Sequence, residues 1–133
     1  MSKSMRKNLK KKMTNEMTNT TLEFVLQKHE FLCAAARSLV SKKGHDYNKQ
    51  AQEKGDTLAN MRLAKQIGLA DSYCQSTMIR LFDKMMRLQS LTKNPSVEPQ
   101  VNDESVTQTI LDSINYLVYL YIFYEEESKQ QKE

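Results

Sequence analysis

Two segments of the chain carry polar side chains at the spacing of an α-helix. From residue 103 onward, a helix that turns about 100° per residue would gather four polar side chains in one quadrant: Glu104, Gln108, Asp112 and Asn115. From residue 73 onward, one helix side carries a carboxylate among cations: Arg80, Asp83, Lys84 and Arg87. Asp112 and Asn115 lie within the most hydrophobic stretch of the sequence. A carboxylate there is costly to bury unless it is paired or binds a cation.

The two polar stripes would form a phosphate site if they faced each other across a cleft. The carboxylates that could then bind Mg²⁺, which prefers hard oxygen ligands, are Asp83, Glu104 and Asp112. The side chains that could contact phosphate oxygens, the arginines through their bidentate forks, are Arg80, Lys84 and Arg87. A metal that bridges two phosphates makes phosphorus electrophilic and activates water, which would make Glu104 and Asp112 catalytic. The spacing alone favours a salt-bridge network between helices, or simple exposed faces, over such a site.

The elements that must position these side chains are helices. A chain of 133 residues suits one domain. With only three Gly and two Pro, β-sandwiches, barrels and Gly-rich phosphate loops are disfavoured, and the eight Met and long stretches without helix breakers favour an all-α fold. Caps and breakers predict four helices, at about 20–40, 58–67, 73–91 and 103–127, with Gly44 and Gly68 as stops.

The third and fourth predicted helices each have an apolar stripe opposite their polar side. In the third helix this stripe consists of Met78, Leu81, Phe82, Met85 and Leu88. In the fourth it consists of Val106, Ile110, Ile114, Leu117 and Tyr121. The fourth helix also carries a concentration of aromatic residues, which predicts a helix-to-helix homodimer: Tyr116, Tyr119, Tyr121, Phe123 and Tyr124.

The basic character of the chain is concentrated at its N-terminus. Residues 1–19 hold six basic side chains and one acid, whereas the rest of the chain is almost neutral. We therefore expect a disordered basic tail at 1–19, one domain at 20–128 and a frayed end at 129–133. Such a tail would give only nonspecific, salt-sensitive attraction to nucleic acid.

Several features predict a cytoplasmic protein that does not enter membranes. The longest apolar run, Tyr116–Tyr124, has nine residues, whereas a bilayer span needs about 20. The basic N-terminus is not followed by the apolar segment of a secretory signal. Two cysteines cannot form a disulfide framework.

Four blocks occur in order along the chain, at residues 43–47 (KGHDY), 55–64 (GDTLANMRLA), 79–88 (IRLFDKMMRL) and 103–116 (DESVTQTILDSINY). Together they resemble the nucleotide modification associated domain 1 family of phages and bacteria. The resemblance covers about residues 22–124. Its most specific parts are R-x-x-D-K-x-x-R-L and the following D-E-S-x-x-x-T-x-x-D-x-x-N-Y.

The resemblance implies a role in the metabolism of nucleotides, especially modified ones. The helical layout is similar to that of MazG-like all-α nucleoside triphosphate pyrophosphohydrolases, which are helical bundles that bind Mg²⁺ through carboxylates and work as dimers or higher oligomers. Carried over to this sequence, the resemblance implies a set of residues that would hold the nucleotide: Lys43, Asp46, Tyr47, Asn60, Arg62, Arg80, Lys84, Arg87, Asn115 and Tyr116. The fold expected from it is a bundle of four main helices.

The chain departs from the MazG-like signature at its acidic positions. It has no E-x-x-E motif, and the segment that resembles E-x-x-D is Asp112-Ser113-Ile114-Asn115, with one carboxylate fewer. A Mg²⁺-dependent hydrolase is therefore one expectation. A non-catalytic binder that sequesters a nucleotide signal, as a phage anti-defence protein would, is another. A protein that associates with nucleic acid through the basic tail is a third.

Overall fold

The part of the chain that the structure describes contains five α-helices. The computed structural model describes residues 2–47, 55–93 and 105–132, with side chains for all of these except 11–18, 43–47 and 132. The helices are α1 (Lys3–Thr18), α2 (Leu22–Tyr47), α3 (Ala59–Gln66), α4 (Tyr73–Lys93) and α5 (Val106–Lys132). Because these ranges contain no strand, the all-α prediction is confirmed. The four-helix MazG-like bundle and the homodimer stay predictions.

The N-terminal segment forms a helix, where the sequence predicted a disordered tail. Ser2 starts α1, since its Oγ accepts a hydrogen bond from the Met5 amide at 3.2 Å, as the N-cap of a helix does. The predicted disorder of this segment is therefore not confirmed. The chain divides into two compact units, Met1–Leu32 and Cys33–Glu133.

Hydroxyl side chains start three further helices. Amide groups donate to Thr21 Oγ1 in front of α2 (3.2 Å), to Ser72 Oγ in front of α4 (2.9 Å) and to Ser105 Oγ in front of α5 (3.1 Å). Each of these bonds satisfies an amide that has no partner within its helix. Thr21 rather than the predicted Thr20 caps α2, and the predicted cap Asp103 lies outside the described residues.

The two glycines predicted to stop helices behave differently. Gly68 follows α3 with φ of +83°, and the Gly68 and Leu69 amides donate to the carbonyls of Lys65 (3.0 Å) and Ala64 (2.8 Å). A glycine at positive φ that closes the last turn is a common helix C-terminus, so this prediction is confirmed. The predicted stop at Gly44 is wrong, because α2 continues through it to Tyr47.

The antiparallel pair α4 and α5 forms the centre of the unit Cys33–Glu133, and α3 packs on α4. Small hydroxyl residues of α4 and α5 are buried: Ser76, Thr77, Thr109 and Ser113. Ser76 Oγ donates to the Met61 carbonyl of α3 at 3.2 Å. Thr77 Oγ1 donates to the Tyr73 carbonyl at 2.9 Å, and Ser113 Oγ donates to the Thr109 carbonyl at 2.8 Å. Since each of these hydroxyls donates to a backbone carbonyl, it can be buried without a lost hydrogen bond.

Asn115 links α5 to α2. Its Nδ2 donates to the Ala36 carbonyl at 3.1 Å, and both residues are buried. A buried amide needs such a partner because leaving it without one costs about 1–3 kcal/mol. Asn115 therefore makes a contact between helices in the described structure.

The apolar stripe predicted on α4 is buried only in part. Leu81 is buried, whereas Met78, Phe82 and Met85 are 48%, 63% and 43% exposed. The stripe is thus mostly exposed, because α5 contacts the side of α4 that bears Cys74 and Lys84. In the predicted stripe of α5, the side chains of Leu117 and Tyr121 are likewise exposed. In the described ranges no helix combines the length and the apolarity needed to cross a bilayer.

Candidate functional site

A pocket of about 380 Å³ lies beside the α4–α5 pair and is lined by Arg80, Asp83, Lys84, Arg87 and Tyr116. Four of these residues come from α4 and one comes from α5. The volume falls in the usual range for small-molecule sites, about 300–1,000 Å³. The structure thus brings together five residues that the sequence named as candidates. We call this group the cationic pocket.

The helix geometry of α4 directs three cations to the cationic pocket. Arg80, Lys84 and Arg87 stand at positions i, i+4 and i+7, which lie on one side of a helix. Arg80 Nη1 also contacts Met61 Sδ on α3 at 3.5 Å. The three cations are accompanied in the lining by one carboxylate, that of the exposed Asp83.

Asp112 supports the cationic pocket from within α5. Its side chain is 12% exposed, and its Oδ2 lies 3.3 Å from Lys84 Nζ. A buried carboxylate without a cation nearby would be strongly disfavoured. The ion pair therefore explains how an acid can occupy the most hydrophobic stretch of the chain, and it fixes Lys84 at the pocket.

Tyr116 gives the cationic pocket an aromatic wall. Lys84 Nζ lies 6.0 Å from the centroid of its ring. The ring of Tyr119 lies 6.1 Å away, tilted by 55°. Burial raises the pKa of Tyr119, and the neighbouring Tyr116 and Asp112 raise it further, so this phenol stays neutral well above neutral pH.

The predicted metal ligands do not form a complete set in the described part of the chain. Asp83 lines the cationic pocket, Asp112 pairs with Lys84, and Glu104 lies outside the described residues. Within the ranges that the structure covers, no group of three or more His, Cys, Asp or Glu side chains could hold a metal ion. A Mg²⁺ site, with Glu104 and Asp112 as catalytic residues, therefore stays a prediction.

The remaining residues predicted to contact the nucleotide either do not line the cationic pocket or have side chains outside the described part of the structure. Asn60 is exposed on α3, and Asn115 bonds to Ala36. The side chains of Lys43, Asp46 and Tyr47, at the end of α2, are outside the described set. The structure thus neither joins these residues to the cationic pocket nor separates them from it, apart from Asn115, whose amide is engaged between helices.

Arg62 lies in a different cluster, at the other end of the α4–α5 pair. Its Nη1 and Nη2 donate to the two Glu126 oxygens, both at 2.9 Å, and its Nε donates to Asp56 Oδ2 at 2.8 Å. The guanidinium carbon lies 4.9 Å from the ring centroids of both Tyr73 and Phe123. We call these five residues the Arg62 cluster. Its geometry, a bidentate pair combined with aromatic stacking, is the one that arginine forms best.

Ionisation in the Arg62 cluster is strongly coupled. The hydrogen bonds from Arg62 lower the pKa of Glu126, although burial opposes this. The hydrogen bond with Glu126 raises the pKa of Arg62, with Asp56 contributing. Arg62 and Glu126 are therefore both charged at neutral pH, and the predicted ligand role of Arg62 would compete with its bonds to two carboxylates.

Glu127, next to the Arg62 cluster, caps α4. Its two oxygens accept hydrogen bonds from the amides of Tyr73 (3.1 Å) and Cys74 (3.0 Å). Burial opposes the ionisation of Glu127, but the bonds from Cys74 and Tyr73 outweigh it and lower its pKa. Burial, and then Glu127, raise the pKa of the Cys74 thiol to about 11. This thiol is therefore protonated and unreactive at neutral pH.

Glu126 and Glu127 were missed in the sequence because their partners are distant along the chain. Arg62 lies 64 residues before Glu126, and Cys74 lies 53 residues before Glu127. One local signal was present. Glu127 stands one turn after Phe123, so these two residues share a helix side, and an acid on the side of a core aromatic residue needs a partner.

Comparison with known proteins identifies no relative of this chain, since no family model, curated protein or solved structure matches it. The case for its function therefore rests on the chemistry of the cationic pocket.

Proposed function

We propose that the cationic pocket binds a nucleotide or a closely related phosphorylated small molecule. The observation that carries this proposal is the convergence of Arg80, Lys84 and Arg87 with the ring of Tyr116 around a pocket of about 380 Å³. Cations bind phosphate oxygens, and an aromatic face stacks on a base. A nucleotide is a common ligand that carries both features.

Each lining residue has a role in this proposal. Arg80 and Arg87 would bind phosphate oxygens through their guanidinium forks, and Lys84 would contribute a compact charge between them. Asp112 is a positioning residue that acts through Lys84, since its oxygen lies 3.3 Å from the ammonium group. Asp83 would accept hydrogen bonds from ligand hydroxyl or amino groups, because an ionised carboxylate is only an acceptor.

We propose that the pocket binds its ligand, and the experiment below also measures whether the ligand is hydrolysed. If Mg²⁺ is bound, Asp83 and Glu104 are the carboxylates left to hold it while Asp112 pairs with Lys84. The metal would supply charge neutralisation at the phosphates.

The test is a panel of nucleoside mono-, di- and triphosphates, cyclic nucleotides and ADP-ribose-type compounds, titrated calorimetrically with and without Mg²⁺. The double variant Arg80→Gln/Arg87→Gln would lose affinity by 100-fold or more, since each charge-assisted hydrogen bond contributes about 1.5–3 kcal/mol. The matched control, Arg37→Gln/Lys42→Gln, removes two charges from exposed side chains outside the pocket lining and should bind like the wild type.

The result that would contradict the proposal is equal affinity of the two double variants, or no binding of any panel member by the wild type. Ligand recovered unchanged after incubation would indicate a binder that sequesters its ligand. Release of pyrophosphate that depends on Asp83 would indicate a hydrolase. Thermal melting of each variant verifies that it remains folded.

A further inference from the structure

Helix α1 carries a row of cations along one side. Lys3, Arg6, Lys7 and Lys10 stand at positions i, i+3, i+4 and i+7, and all four are exposed. These positions share one side of a helix. The first acidic residue in the sequence is Glu16, which follows all four of these cations. We call these four residues the basic stripe.

We infer that the basic stripe binds the phosphate backbone of duplex DNA without reading its sequence. Duplex DNA carries one negative charge per 1.7 Å of its axis. The basic stripe extends over about 10 Å at 1.5 Å per residue, so it faces several phosphates at once. The long flexible arms of Lys and Arg can follow the backbone without a fixed register.

The composition of α1 favours DNA over a lipid surface. A helix that lies in a membrane interface buries a continuous apolar face. The sequence of α1 contains six basic residues and four apolar ones, Met5, Leu9, Met13 and Met17, which are too few for a broad apolar face. The helix also has no aromatic side chain that could stack on an unpaired base. Attraction to a regular row of phosphates is the interaction that these residues fit best.

This inference is independent of the proposed nucleotide site. The basic stripe belongs to the unit Met1–Leu32, whereas the cationic pocket belongs to the unit Cys33–Glu133. Loss of one binding activity would leave the other intact. A variant of each surface therefore serves as a folding control for the other.

The test is the affinity of the full-length protein for a fluorescent duplex of mixed sequence, measured by anisotropy. Binding by the wild type should weaken about 150-fold between about 50 and 200 mM salt if four phosphates are neutralised, because each contributes about 0.9 to the logarithmic slope. The stripe variant changes Lys3, Arg6, Lys7 and Lys10 to Gln. It should lose most of the affinity and most of the salt dependence.

The matched control removes the same number of charges from exposed side chains of the other unit: Arg37, Lys42, Lys93 and Lys129, each changed to Gln. It should keep the wild-type affinity for DNA. A further variant, Met5→Ser/Leu9→Ser, keeps the basic stripe and should also bind DNA normally. Circular dichroism verifies the helix content of each variant.

Three results would overturn the inference. The first is equal DNA affinity of the stripe variant and the wild type. The second is an equal loss in the matched control, which would indicate an effect of net charge. The third is the absence of DNA binding together with binding to phosphatidylserine vesicles that Met5→Ser/Leu9→Ser abolishes, which would assign α1 to a membrane surface.

Discussion

The cationic pocket and the Arg62 cluster both combine basic, acidic and aromatic side chains, but the first group lines a cavity whereas the second group makes contacts within the protein. In the Arg62 cluster, one guanidinium donates three hydrogen bonds to two carboxylates and lies over two aromatic rings. In the cationic pocket, three cations line a cavity with one carboxylate, and Asp112 pairs with Lys84 behind it. An arginine in a helix pair is therefore informative about ligands only when the balance of charge around it is known.

The largest effect expected from this comparison is on stability, at Arg62. Arg62→Ala would leave Glu126 and Asp56 facing each other without their cation and would remove the stack on Tyr73 and Phe123. We expect the free energy of unfolding to fall by about 3 kcal/mol, at the lower end for a buried pair because both carboxylates are partly solvated. Urea denaturation measures this change.

The control for that change is Arg37→Ala, which truncates an exposed arginine and should alter stability by less than about 0.5 kcal/mol. Ligand affinity should be the same in both variants. Equal stability of the two proteins would show that the Arg62 cluster does not hold the helices together.

A smaller loss of stability is expected at the start of α4. Glu127→Ala removes the acceptor for two amides and should cost about 1–2 kcal/mol, the usual range for a helix cap. Glu125→Ala, at the exposed neighbouring position, is the control and should be nearly neutral. If the two variants melt at the same temperature, the cap contributes nothing.

The two roles considered for Asp112, as the partner of Lys84 and as a metal ligand, predict opposite effects of its substitution on phosphate binding. Asp112→Asn should tighten the binding of inorganic tripolyphosphate about fivefold without metal, because it removes about 1 kcal/mol of opposing charge beside Lys84 and keeps an oxygen that can accept a hydrogen bond from the Lys84 ammonium group. Asp71→Asn, at an exposed position, should leave affinity unchanged. Weaker binding without metal would contradict this expectation, and a loss of Mg²⁺-dependent binding would support Asp112 as a metal ligand.

The smallest effect concerns acid stability. The pKa values of Glu126 and Glu127 are lowered from 4.5 in the folded protein. Their contribution is therefore complete above about 4.5 and is lost as the pH falls through the lower folded values. Glu126→Gln/Glu127→Gln should reduce the dependence of the unfolding free energy on pH in this acidic window. An unchanged dependence would contradict the assignment.

The parts of the fold that local rules govern were predictable. The bounds of α3 and α4 agree with the prediction within about two residues because Gly68 and Ser72 act on their own helix ends. The helix α1 was not predicted because its charge suggested disorder, although Ser2 provides a cap and no breaker follows. Gly44 did not stop α2, since a glycine is tolerated inside a long helix at a cost of about 1 kcal/mol.

The parts that depend on distant contacts were less predictable. Spacing within α4 identified Arg80, Lys84 and Arg87 as neighbours, and the i, i+4, i+7 rule is local. The Glu126 partner of Arg62 lies 64 residues away, and no helical period relates them. The side of α4 that α5 covers also depends on small buried residues such as Thr77, whereas the hydrophobic pattern pointed to Met78, Phe82 and Met85.

The most direct test of the central claim compares both regions in one experiment. Inorganic tripolyphosphate, which carries only the chemistry that the cations recognise, is titrated into ¹⁵N-labelled protein, and amide shifts are followed by NMR. We predict saturable shifts at residues 80–87 and 112–116, and none at 56–62 or 123–127. Shifts centred on the Arg62 cluster, or no saturable shift at residues 80–87, would contradict the claim that the cationic pocket is the phosphate site.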